Sequence, residues 1–148
     1  MPRALRLSLL AAFLVALPAL AGLTPALHDK LERAQYVYIQ SERKGGGWSL
    51  PSEIWFFVDG DTVYVGTRPT SWRVKRIQAG RTKARIAIGN PSGTAFEATG
   101  ALVKNPAVEK QLMEAFAKKY PAGWANHAKG FEEGFKSGER VLVGYTAN

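Results

Sequence analysis

The dipeptide Asp59-Gly60 lies between two runs of strand-forming residues, Ser52–Val58 and Asp61–Thr67, and it constrains the fold more than any other feature. Asp-Gly between such runs is a strong hairpin signal, because a type I′ turn needs positive φ at both central positions. An isolated hairpin is marginal in water, so the two strands need others to cover them.

The rest of the chain supplies these. Gln35–Ser41 alternates, with Val37 and Ile39 on one face and Tyr36 and Tyr38 on the other, and reads as a first strand. Gly45-Gly46-Gly47 is a hairpin tip and not a phosphate loop, since no helix opening on Lys-Ser/Thr follows. Lys83–Gly89 sets Ala84, Ile86 and Ile88 against Arg85 and Ala87 as a fourth strand. Thr94–Val103 is a fifth, after the turn cluster Asn90-Pro91-Ser92-Gly93, and Glu139–Tyr145 a sixth. Thr24-Pro25 opens a short helix to Arg33, and Ser71–Ala79 is a second, stopped by Gly80. A third starts at Asn105-Pro106 with the stripe Val108, Leu112, Ala115 and Phe116, and Pro121-Ala122-Gly123 ends it. Trp124–Lys136 carries Trp124, Ala128, Phe131 and Phe135 at helical spacing. Gly130, Gly134 and Gly138 recur beside that stripe, as a close backbone approach would require.

The expected fold is therefore mainly β with helices (α+β). It has six antiparallel strands, a short helix after the third and a helical pair before the last. Closing such a sheet into a barrel removes its edges. Lipocalin-like and OB-like barrels share the tally, so the topology stays open at this point.

The amino terminus stands apart. Arg3 and Arg6 precede the apolar run Leu7–Leu17, Pro18 breaks it, and Ala19-Leu20-Ala21 has the small-x-small pattern of a cleavage site. Residues 1–21 are read as a signal peptide, with a single domain over 22–148, and the protein is expected to be exported, periplasmic or secreted. The run is too short to span a membrane, which needs ~20 apolar residues, so membrane contact is expected only through the signal peptide before cleavage. Losing Arg3 and Arg6 lowers the formal charge from +8 to +6. That surface suits nucleic acid, anionic lipid or a phosphorylated small molecule, and export argues against nucleic acid. With zero cysteines, lipidation, disulfides and thiolate metal sites are excluded. His28 and His127 lack partners at metal spacing, so no metal is expected. No nucleophilic triad or paired-carboxylate arrangement follows from spacing.

The stretch Glu53–Thr67 followed by Ser71-Trp-Arg-Val-Lys-Arg-Ile77 resembles the pyridoxamine 5'-phosphate oxidase-like split barrels. The matching features are Trp55, the Asp59-Gly60 hairpin, Thr67 at a strand end, and Ser71, Arg73 and Arg76 on the next helix. Lys83–Ile88 supplies the strand after it. Where family members often carry Asn-Pro-Arg, this chain has Ala79-Gly-Arg-Thr82.

The resemblance implies a six-stranded split barrel, a homodimer with cofactor at the subunit interface, and flavin mononucleotide (FMN) or a deazaflavin as cofactor. Thr67, Ser71, Arg73, Lys75 and Arg76 would hold its phosphate, and Trp55 and Trp72 would flank its ring. Backbone amides near Ser52–Trp55 would face the ring. The cofactor supplies redox chemistry in such proteins, so an oxidoreductase needs no evident acid or base here; catalytic residues and substrate stay unassigned. The alternative is an exported, non-enzymatic binding protein for a planar ligand such as haem, held between Trp55, Tyr64 and Trp72.

Overall fold

The structure, a computed structural model, describes Gly22–Asn148. The signal segment read over residues 1–21 lies outside the described residues. The elements are α1 (Pro25–Arg33), β1 (Val37–Ser41), β2 (Ser52–Ile54), β3 (Phe57–Asp59), β4 (Thr62–Thr67), α2 (Trp72–Gln78), β5 (Lys83–Ile88), β6 (Ala95–Val103), α3 (Pro106–Lys119), α4 (Pro121–Ser137) and β7 (Val141–Ala147).

The sheet has seven strands where the sequence suggested six. All pairings are antiparallel, in the order β2-β1-β5-β6-β7-β4-β3. The extra strand arises because Ser52–Val58 is not one strand. Its first half pairs with β1, as Tyr38 with Glu53, and its second half with β4, as Val58 with Val63. These are opposite edges of the sheet, yet only Trp55 and Phe56 separate them along the chain. A sheet whose two edge strands are so joined has to curl until they meet, which produces a half-barrel.

Period-two alternation then divides the apolar residues between two cores. Val63 and Val65 of β4 and Val143 and Tyr145 of β7 pack with Val37, Ile39, Phe56 and Ile86 in one core, to which α1 adds Leu31 and α2 adds Val74. Tyr64 and Leu142 face the other way, into a second core with Leu112, Phe116, Tyr120, Phe131 and Phe135 of the helical pair. Adjacent residues at the joint diverge likewise. Phe56 enters the first core, and Trp55 packs against the second.

Local chemistry explains the ends of the elements. Thr24 Oγ1 accepts from Leu27 N at 3.2 Å, and Asn105 Oδ1 accepts from Ala107 N and Val108 N, so both caps act as the sequence suggests. The hairpin turn lies one residue later than expected. Asp59 pairs with Thr62, leaving Gly60 and Asp61 as the central residues, and only Gly60 has positive φ (58°). Positive φ at the first position alone is the II′ arrangement, not I′. Pro121 begins α4 and does not form a terminating loop, because proline at the first helical position loses no hydrogen bond. Tyr120 alone separates α3 from α4. Of the three periodic glycines only Gly134 makes a close approach, where a Cβ would lie 2.8 Å from Arg140 Cβ. Gly130 faces open space, and Gly138 ends α4 at φ 85°.

Asp61 gathers both ends of the described chain. Leu23 N donates to its carboxylate and Ala147 N to its carbonyl, each at 2.9 Å.

Candidate functional site

A cavity of about 650 Å³ opens between the β1–β2 hairpin, the end of β4 and α2. Five of the seven residues expected to hold a cofactor line it: Thr67, Ser71, Trp72, Arg73 and Arg76. Their convergence is local. Thr67 is the last residue of β4 and Ser71 immediately precedes α2, while Arg73 and Arg76 are three apart and share a helix face.

Arg73 is the centre of the site. Its Nη2 donates to Ser52 Oγ at 3.2 Å, which ties α2 to the edge strand β2. Its Nη1 is buried without a partner, and so is Ser71 Oγ. The Tyr145 hydroxyl reaches Arg73 from inside the half-barrel without the geometry of a hydrogen bond. Burial raises the pKa of Tyr145, and the Arg73 charge opposes that rise, so the phenol stays neutral. Unmade hydrogen bonds of buried groups cost free energy. Ser71 and Arg73 line the cavity together with Arg43, Thr67 and Arg76, so the residues present fit a phosphate-bearing group.

The two remaining residues lie elsewhere. Lys75 is exposed, with Nζ 5.0 Å from the centre of the Trp72 ring, outside the cavity lining. Trp55 is turned towards the helices by the joint and stacks on Tyr120 at 4.4 Å, with Phe116 and His127 edge-on to it. Trp72 is 69% exposed at the cavity mouth. Tyr64 stacks on Phe57 in the second core. Trp55, Tyr64 and Trp72 therefore do not frame one slot.

Sequence reasoning missed the contribution of the β1–β2 hairpin, which brings Ser41, Arg43, Ser49 and Leu50 to the cavity. Register between β1 and β2 places them there, and no local signal encodes it. The lining carries three arginines, while its one acid, Glu53, accepts a hydrogen bond from Tyr38. The field in the cavity is positive. A second, aromatic cavity of about 320 Å³ adjoins at Glu53 and Ile54 and is walled by Tyr36, Trp55, Phe116, His127, Phe131 and Arg140.

No family model matches the chain, and no curated protein matches it in sequence. Solved structures do match its fold, which is the split barrel of the pyridoxamine 5'-phosphate oxidase-like proteins. A pyridoxamine 5'-phosphate oxidase candidate from Listeria innocua superposes with TM-score 0.59 at 14% identity, covering 83% of this chain and 91% of the other. An F420 reductase superposes with TM-score 0.52 at 18% identity, covering 82% and 92%. The haem storage protein HutZ from Vibrio cholerae gives 0.59 at 10% identity, covering 86% and 91%. One fold is thus shared with an oxidase candidate, an F420 reductase and a haem storage protein.

Proposed function

We propose that this protein binds FMN and acts as an exported, flavin-dependent oxidoreductase. The observation that carries the reading is the convergence of Thr67, Ser71, Arg73 and Arg76, with Arg43, on one cation-rich cavity. Thr67, Ser71, Arg73 and Arg76 hold the cofactor phosphate. Arginine suits this role because its planar fork binds two oxygens at once. When bound, the flavin supplies electron or hydride transfer. Ser52 fixes the Arg73 side chain through the 3.2 Å hydrogen bond, so less rotamer freedom is lost on binding. Leu50 and Trp72, 88% and 69% exposed beside the cavity, are the apolar surface a second subunit would cover in a homodimer.

A deazaflavin fits the same phosphate residues. The second reading is an exported, non-enzymatic binder of haem or another planar ligand, supported by the fold shared with HutZ. One experiment separates them: titration of the purified protein with FMN, a deazaflavin and haemin, followed by absorbance and fluorescence. Saturable FMN binding that weakens at least tenfold in Arg73→Ala/Arg76→Ala supports the flavin reading. Affinity unchanged in that variant would remove the phosphate assignment, and binding of haemin alone would transfer the conclusion to the second reading.

A further inference from the structure

β4 ends between two sites. Thr67 lines the cavity described above, while the next residue, Arg68, lines a separate polar cavity of about 470 Å³. Its other walls include Thr70 from the β4–α2 turn, Gly130 and Gly134 from α4, and Arg140 just before β7. We propose that Arg68 and Arg140, with Thr70, form a second anion site that takes the carboxylate or phosphate of a small molecule. It stands independently of the flavin reading.

The case begins with Arg140, which is anchored and not a solvated tail. Its guanidinium lies over the Phe131 ring at 3.8 Å, and its Cβ fits against α4 only because residue 134 is glycine. Its Nε is buried without a hydrogen-bond partner. Arg68, exposed, lines the same cavity. The pKa of Arg140 is lowered first by burial and then by the Arg68 charge. Among the described residues no carboxylate lies within 4.0 Å of either guanidinium. Glu139 borders the cavity but pairs with neither.

An exposed Arg68 and a half-buried Arg140 with an unmade hydrogen bond line one polar cavity without a carboxylate partner, an arrangement that an anion would stabilise. Arginine pairs of this kind bind carboxylate and phosphate through charge-assisted hydrogen bonds. Thr70 adds a hydroxyl. Gly130 leaves room for the ligand, as a Cβ there would meet nothing within 4 Å.

The test removes the first site before reading the second. In Arg73→Ala/Arg76→Ala protein, titration calorimetry with inorganic phosphate and, separately, acetate is expected to show saturable binding of at least one anion. The arm that binds more tightly identifies the ligand group as phosphate or carboxylate. Adding Arg68→Ala is expected to weaken that binding about tenfold or more, since one charge-assisted contact is lost. Gly130→Glu, which sets a fixed carboxylate beside the arginines at an exposed helix position, is expected to do the same. Circular dichroism establishes that each variant is folded, and the same substitutions in the parent background give a second measurement. Weakening in either variant supports the site. Absence of saturable binding for both anions, or affinity unchanged in both variants, would overturn it. Failure of FMN to bind would leave these titrations unaffected, so the two readings fail separately.

Discussion

The hydroxyl of Tyr120 accepts a hydrogen bond from the backbone amide of Phe56 at 3.2 Å and donates one to the carbonyl of Gln35 at 2.9 Å. Phe56 is where the strand run breaks, so this phenol partners an amide that the break takes out of the β ladder. It also fastens the helical pair to the seam of the half-barrel.

Tyr120→Phe leaves those two backbone groups without their partner in a buried place, which costs about 1–3 kcal/mol. Urea denaturation is the measurement, and a loss below about 0.5 kcal/mol would contradict this role. Burial pushes the Tyr120 pKa up to about 12 from 10.0. Because the folded value is the higher, the contribution is complete below pH 10 and disappears as pH rises through about 12. The Phe variant is expected to lack that alkaline loss.

Ser71→Ala separates binding from stability. The hydroxyl is buried and unpartnered, so its removal is expected to leave the melting temperature unchanged or raise it slightly. FMN affinity is expected to fall several-fold, because an acceptor oxygen loses its donor. Equal FMN affinity in parent and variant would show that Ser71 does not touch the phosphate.

Gly123→Ala is expected to destabilise the protein even though alanine is the better helix former by ~1 kcal/mol. A Cβ at this position would lie 2.8 Å from the Trp55 ring, which Tyr120 and Phe116 hold in place. Overpacking of this kind costs about 1–3 kcal/mol. Denaturation followed by tryptophan fluorescence reads both the stability and the displaced indole; an unchanged midpoint with an unchanged emission maximum would refute it.

Lys119 carries its ammonium 3.5 Å from the centre of the Phe56 ring, and burial lowers its pKa from 10.5 to about 8. A folded value below the unfolded one means that stability rises as pH increases from about 8 to 10.5. Lys119→Met is expected to flatten that slope in denaturation curves collected across the interval. A slope that persists would assign it to another group.

The helices and the places of most strands along the chain were legible because their signals are local. Asn105-Pro106 caps one helix, and alternation sorts Val37 and Ile39 from Tyr36 and Tyr38. The break at Trp55-Phe56 was not legible. Ser52–Val58 is an unbroken run of strand formers, and only pairing with β1 on one side and β4 on the other divides it. The same distinction governs the site. Thr67, Ser71, Arg73 and Arg76 fall within ten residues and fold together, so their grouping could be read directly. Arg43, Ser41 and Ser49 arrive through long-range register, and Trp55 leaves because the break turns it towards α3 and α4.

Asp61 has a consequence for the order in which the chain can be written. Since Leu23 and Ala147 both bond to this one residue, in a chain started at Gly22 a short linker can join residue 22 to Asn148 without disturbing a strand. New termini can then be cut at Gly45–Gly47, an exposed turn outside the ladder. Such a circular permutant would keep every strand neighbour, and the arginine-lined cavity would lie beside a free, taggable end.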